Sequence, residues 1–95
     1  MPAKAGGQLQ MPKVISSPPP IYPDLARSQG VQGIVVMDAL IDASGTVAAV
    51  KVISGPLTLR QAAMDALRRW RYQPARLNGQ PTSVHISVNI NFTRQ

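Results

Sequence analysis

The sequence predicts an α+β fold: a three-stranded antiparallel-type sheet of order 2-1-3 with two helices on one face, in the chain order α-β-β-α-β. Three observations carry this. Val84, Ile86, Val88, Ile90 and Phe92 alternate without a break with His85, Ser87, Asn89 and Asn91, the period-two mark of a half-buried strand. Leu59, Ala62, Ala63, Ala66, Leu67 and Trp70 recur at i, i+3, i+4, i+7, i+8 and i+11, one face of an amphipathic helix. Two apolar runs on either side of Asp42-Ala43-Ser44-Gly45 read as a hairpin.

Taken in order, residues 1–20 carry Pro2, Pro12, Pro18, Pro19, Pro20 and Gly6-Gly7. The first ten residues read as a flexible tail, Pro18 to Pro20 as a short polyproline II entry, and Val14-Ile15 as a piece lying extended against the fold. Tyr22 to Gly30 predicts a short helix, with Pro23 in its first position, Asp24 complementing the dipole and Gly30 as the left-handed stop. Val31 to Ile41 is a strand apolar on both faces, with Val35, Met37, Ala39 and Ile41 on one and Ile34, Val36 and Leu40 beside Asp38 on the other, and such a strand belongs in the middle of a sheet. Thr46 to Ile53 returns beside it, and its one break of period, between Val47 and Val50, predicts a bulge. Thr58 and Gln61 have capping-box spacing for the second helix. Small Ala62, Ala63 and Ala66 let that helix lie close to the sheet, and Trp70 closes the stripe. Pro74 ends this segment, Asn78-Gly79 turns the chain and Pro81 leads into Val84 to Phe92. Inserting this last strand beside the first leaves it with one unpaired edge.

Bulk properties narrow the function classes. Ninety-five residues with 44% apolar content make one domain, and the absence of cysteine excludes disulfides and thiolate metal sites. A chain this short buries only about 60 to 65% of its unfolded surface, which leaves little space for a deep pocket. A net charge of +6 and a pI near 10.9 favour anionic partners. No run approaches the roughly 18 apolar residues of a membrane span. No signal-peptide pattern follows Met1, so any anchor of the natural protein is expected outside this chain.

An enzymatic reading finds no material. His85 is the only histidine, and Asp24, Asp38, Asp42 and Asp65 sit on four separate elements with no pair suited to acid–base work. No catalytic residue, metal site or cofactor is therefore expected. A basic nucleic-acid module is an alternative, since Arg60, Arg68, Arg69, Arg71 and Arg76 interleave with Trp70 and Tyr72. Against it, Trp70 falls on the apolar stripe and the sheet lacks a pair of exposed aromatics, so no nucleic acid is expected. The free edge of the last strand is the other candidate, because unpaired N–H and C=O groups accept an added strand. Residue chemistry leaves its occupant open: an extended peptide, a second copy of the chain, or nothing.

Several of these segments resemble a known family. Ile21-Tyr22-Pro23, Gly33-Ile34-Val35-Val36 and Asp42-Ala43-Ser44-Gly45-Thr46-Val47 are similar to the C-terminal domain of TonB-family energy transducers. So are Ala66-Leu67-Arg68-Arg69-Trp70-Arg71-Tyr72-Gln73-Pro74 and the closing Val88-Asn89-Ile90-Asn91-Phe92. The resemblance implies a linker end over residues 1–20 and a TonB C-terminal-like domain over 21–95. It implies a periplasmic domain of an inner-membrane anchored protein, working with inner-membrane proton-channel partners through regions absent here. Its implied partner is the TonB box of outer-membrane transporters, added as a parallel strand beside Val84, His85, Ile86, Ser87, Val88, Asn89, Ile90 and Asn91. Pro19, Ile21 and Tyr22 would flank that peptide, and Pro19 stands where some members carry glutamine. Leu59, Ala62, Ala63, Ala66, Leu67, Trp70 and Tyr72 would be structural core. Domains of this kind also occur on sensors and on TolA-like envelope adaptors, which are the alternative parents.

Overall fold

Gly33 to Ile41 is the strand around which the rest assembles. In the computed structural model, which describes residues 8–93, this strand (β3, Gly33–Ile41) lies between β4 (Val47–Ser54) and β8 (Val84–Phe92), antiparallel to both. That is the expected 2-1-3 order, and it places the strand with apolar side chains on both faces at the centre. Helix α1 (Asp24–Ser28) and helix α2 (Leu57–Arg69) cover one face. The core between them is built from Ala26 of α1, Leu59, Ala63, Ala66 and Leu67 of α2, Val35, Met37, Ala39 and Ile41 of β3, and Val88, Ile90 and Phe92 of β8. Both period-two and helical stripes thus meet in a single core. The small alanines let α2 approach the sheet closely.

Three local expectations shift. Pro23 stands one residue outside α1, at its N-cap, with Asp24 as the first helical residue. The helix then stops as foreseen. Gly30, at φ +69, lets its own N–H reach the Arg27 carbonyl and lets Val31 N–H reach that of Ala26, which satisfies carbonyls the helix leaves open. Helix α2 starts earlier than the capping-box spacing indicates. Its N-cap is Pro56, Thr58 lies in the first turn, and the Gln61 amide instead donates to Asp65 at 2.9 Å. The cause lies at Gly55, whose φ is +137. A side chain there would meet Cα of Val35 at 2.9 Å, so the chain turns tightly against β3 and enters the helix at once. Trp70 ends outside α2 as an extended C-cap, half-buried, with its indole N–H donating to the Pro18 carbonyl at 3.0 Å.

Two small antiparallel sheets lie beyond the expected one. Strand β2 (Lys13–Ser16) pairs with β5 (Arg71–Gln73). Strand β1 (Leu9–Gln10) pairs with β6 (Ala75–Leu77), which forms a hairpin with β7 (Gln80–Thr82) through the Asn78-Gly79 turn. Val14-Ile15 does lie extended against the fold. Much of the stretch read as linker is therefore tied to the domain by backbone hydrogen bonds, while residues 1–7 of the expected tail lie outside the described residues. These additions help draw the molecule out to 53 × 21 × 21 Å.

Candidate functional site

The central sheet has two edges, and they are built differently. Strand β4 pairs with β3 through a register that shifts twice, with Ile53 and Ala48 inserted against single residues of β3. Such bulges twist an edge and spoil its pairing. Strand β8 pairs with β3 over all nine residues, from Gly33 opposite Phe92 to Ile41 opposite Val84, without a shift. Among the described residues no strand pairs with its other side. The result is a bulge-free, proline-free edge roughly 30 Å long, on which about half the residues turn N–H and C=O groups outward.

Side chains hold that edge in place without blocking it. Val88, Ile90 and Phe92 are buried, and Val84 and Ile86 pack partly against the core. His85, Ser87, Asn89 and Asn91 are exposed on the opposite face, as their alternation requires. His85 Nδ1 lies 2.8 Å from Asp38 Oδ2, a latch from β8 to its neighbour β3. It joins side chains above the sheet and leaves the outer backbone free.

At the C-terminal end of β8 lies a cleft of about 450 Å³, lined by Pro19, Pro20, Tyr22, Arg27, Asn91, Phe92 and Thr93. Tyr22 is its hinge pin. The ring meets Phe92 edge-on at 5.6 Å, its hydroxyl donates to the Val31 carbonyl, and the Arg27 guanidinium sits over its face at 5.2 Å. Of the three flanking residues named from the sequence, Pro19 and Tyr22 reach this cleft. Ile21 instead lines a groove of about 380 Å³ against Ala62, Ala66 and Arg69 of α2 and is 71% exposed. Arg27 was not foreseen, because nothing in its sequence context distinguishes it from a solvated helix cation. Leu59, Ala63, Ala66, Leu67 and Tyr72 are buried, while Ala62 and Trp70 pack partly against the core. Burial pushes the Tyr72 hydroxyl's pKa up.

Four of the five arginines of the basic stretch are spent on local structure. Arg60 donates to the Gly55 carbonyl at 2.9 Å, Arg71 to the carbonyls of Arg68 and Trp70 at the end of α2, and Arg76 to that of Gly79. Arg68 pairs with Asp65 at 3.7 Å. Among the described residues no three His, Cys, Asp or Glu side chains come together as a metal site.

Residues 18–93 match the family described as Gram-negative bacterial TonB protein C-terminal. The chain is 41% identical over 76 residues to Protein TonB of Xanthomonas campestris pv. campestris, covering 78% of this chain and 34% of that protein. It is 33% identical over 75 residues to Protein TonB of Vibrio cholerae serotype O1, covering 77% and 31%. The solution NMR structure of the Pseudomonas aeruginosa TonB CTD superposes with a TM-score of 0.73 at 22% identity, covering 88% of this chain and 87% of that one, a likeness of fold. The chain spans about a third of the length of the curated relatives it matches.

Proposed function

Because the chain belongs to the family of Gram-negative bacterial TonB protein C-terminal domains, we propose that it captures a short extended segment of outer-membrane transporters, the TonB box, by adding it as a strand to the free edge of β8. The parent protein is then a TonB-like energy transducer. It is anchored in the inner membrane by a segment outside this chain, places this domain in the periplasm and passes on work drawn from the proton-motive force. The observation that carries the reading is the unbroken nine-residue register of β8 on β3, with no strand among the described residues paired on its outer side. Half a dozen added hydrogen bonds at about 0.5 to 1.5 kcal/mol net each contribute several kcal/mol. After the cost of association this corresponds to affinity of micromolar order.

A TonB-box peptide titrated into the isotope-labelled chain is expected to shift the backbone amides of Val84 to Asn91 first and to leave those of Val47 to Ser54 in place. Methylating the peptide nitrogens at alternate positions adds a stricter test. One alternate set is expected to abolish capture and the other to be tolerated, since only one set faces β8. Equal tolerance of both sets refutes strand addition. Concentration-dependent shifts on β8 without any peptide assign the edge to a second copy of the chain.

A further inference from the structure

We propose that the cleft at the C-terminal end of β8 is a carboxylate subsite, in which Arg27 receives an acidic group of the segment paired on the β8 edge. The inference rests on reading that edge as a peptide site. Its starting point is the state of Arg27. The guanidinium carbon lies over the Tyr22 ring, 5.2 Å from its centroid, and Tyr22 is itself fixed by Phe92 and by its bond to the Val31 carbonyl. The cation is therefore held at a set place against the last turn of the strand. A guanidinium offers paired N–H donors whose fork matches the two oxygens of a carboxylate.

Those N–H groups have no acceptor among the described residues. Four of the five arginines of the basic stretch differ: Arg60, Arg71 and Arg76 donate to carbonyls, and Arg68 pairs with Asp65, while Arg69 lies at the separate groove beside Ile21. Asp24, three residues before Arg27 on α1, forms no ion pair with it. None of the four aspartates lines the cleft. The walls suit the same ligand. Asn91 and Thr93 add an amide and a hydroxyl beside the strand end. Pro19 and Pro20 have no N–H, so they do not extend the sheet. The overall charge of +6 adds a field that favours an anion. A segment running along β8 meets this cleft as it leaves the strand.

The test uses amidated TonB-box peptides extended by glutamate or by glutamine, at one end or the other, and one further peptide with a free C-terminal carboxylate. The glutamate placed over the cleft is expected to bind about fivefold tighter than glutamine at the same place. Arg27→Gln is expected to erase that ratio, and Arg27→Lys to keep part of it. If only the free C-terminal carboxylate gains from Arg27, the subsite takes a chain end and not a side chain. Peptides that shift the β8 amides with affinities indifferent to charge overturn the subsite and leave the edge reading standing. Peptides that leave the β8 amides unmoved overturn the edge reading, and the subsite with it.

Discussion

Strands β4 and β8 flank the same central strand, point the same way and bury side chains in the same core, yet only one keeps an unbroken register. On β4 two inserted residues, Ala48 and Ile53, break the register, and its inward valines Val50 and Val52 are only partly buried. On β8 nine consecutive pairs hold, and its last three inward residues are at most 8% exposed. The contrast shows that an edge open to a partner needs more than unpaired N–H groups. It needs a strand held in register from behind, and here deep burial of Val88, Ile90 and Phe92 backs one. Exposed edges invite unwanted pairing, and bulges on one of them limit the invitation to the other.

The largest test of this contrast is to remove the backing from each edge. Ile90→Ala, at a buried position, is expected to cost about 2 to 5 kcal/mol of stability, seen as a lower urea midpoint. Val50→Ala, at a half-buried position on β4, is expected to cost about 1 kcal/mol. Equal losses would mean that the two strands are held alike. A smaller effect is expected at the latch. His85→Ala removes an exposed pair with Asp38 and is expected to cost about 0.2 to 1 kcal/mol, with the β8 amides exchanging slightly faster near that end.

The smallest concerns the turn that joins the central strand to β4. The Asp42 carboxylate accepts from the Ser44 hydroxyl at 2.6 Å and from Thr46 N–H at 3.0 Å, and these bonds hold its pKa below the ordinary carboxylate value. A lowered folded-state pKa stabilises the fold above the unfolded value, near pH 3.9, and that contribution is lost as the pH falls through the lowered one. Asp42→Asn keeps an acceptor oxygen without the charge. Its deficit in thermal midpoint against the parent is expected to be measurable at neutral pH and to vanish in strong acid. The exchange protection of β8 amides should be indifferent to it throughout.

Much of this architecture was written in side-chain periodicity. The alternation over Val84 to Phe92 specified a strand and its buried face, the Leu59 to Leu67 stripe a helix against it, and Asp42 to Gly45 the hairpin between the two central strands. Those patterns are legible because they report which side of an element meets the core. The small sheets were not legible, since Leu9–Gln10, Lys13–Ser16 and Ala75–Leu77 are too short to carry a period. The helix start moved from Thr58 to Pro56 because the tight approach of Gly55 to Val35 is a long-range contact.

The sequence by itself determined the faces of β8 and of α2, for side-chain chemistry encodes burial. Only the tertiary structure decided the edges. Backbone N–H and C=O groups are the same in every residue but proline, so no pattern of side chains says whether a strand's outer donors find a partner. It took the packing of β8 on β3, and of Tyr22, Arg27 and Phe92 at its end, to make that edge unbroken in register, unpaired among the described residues and bounded by a cation.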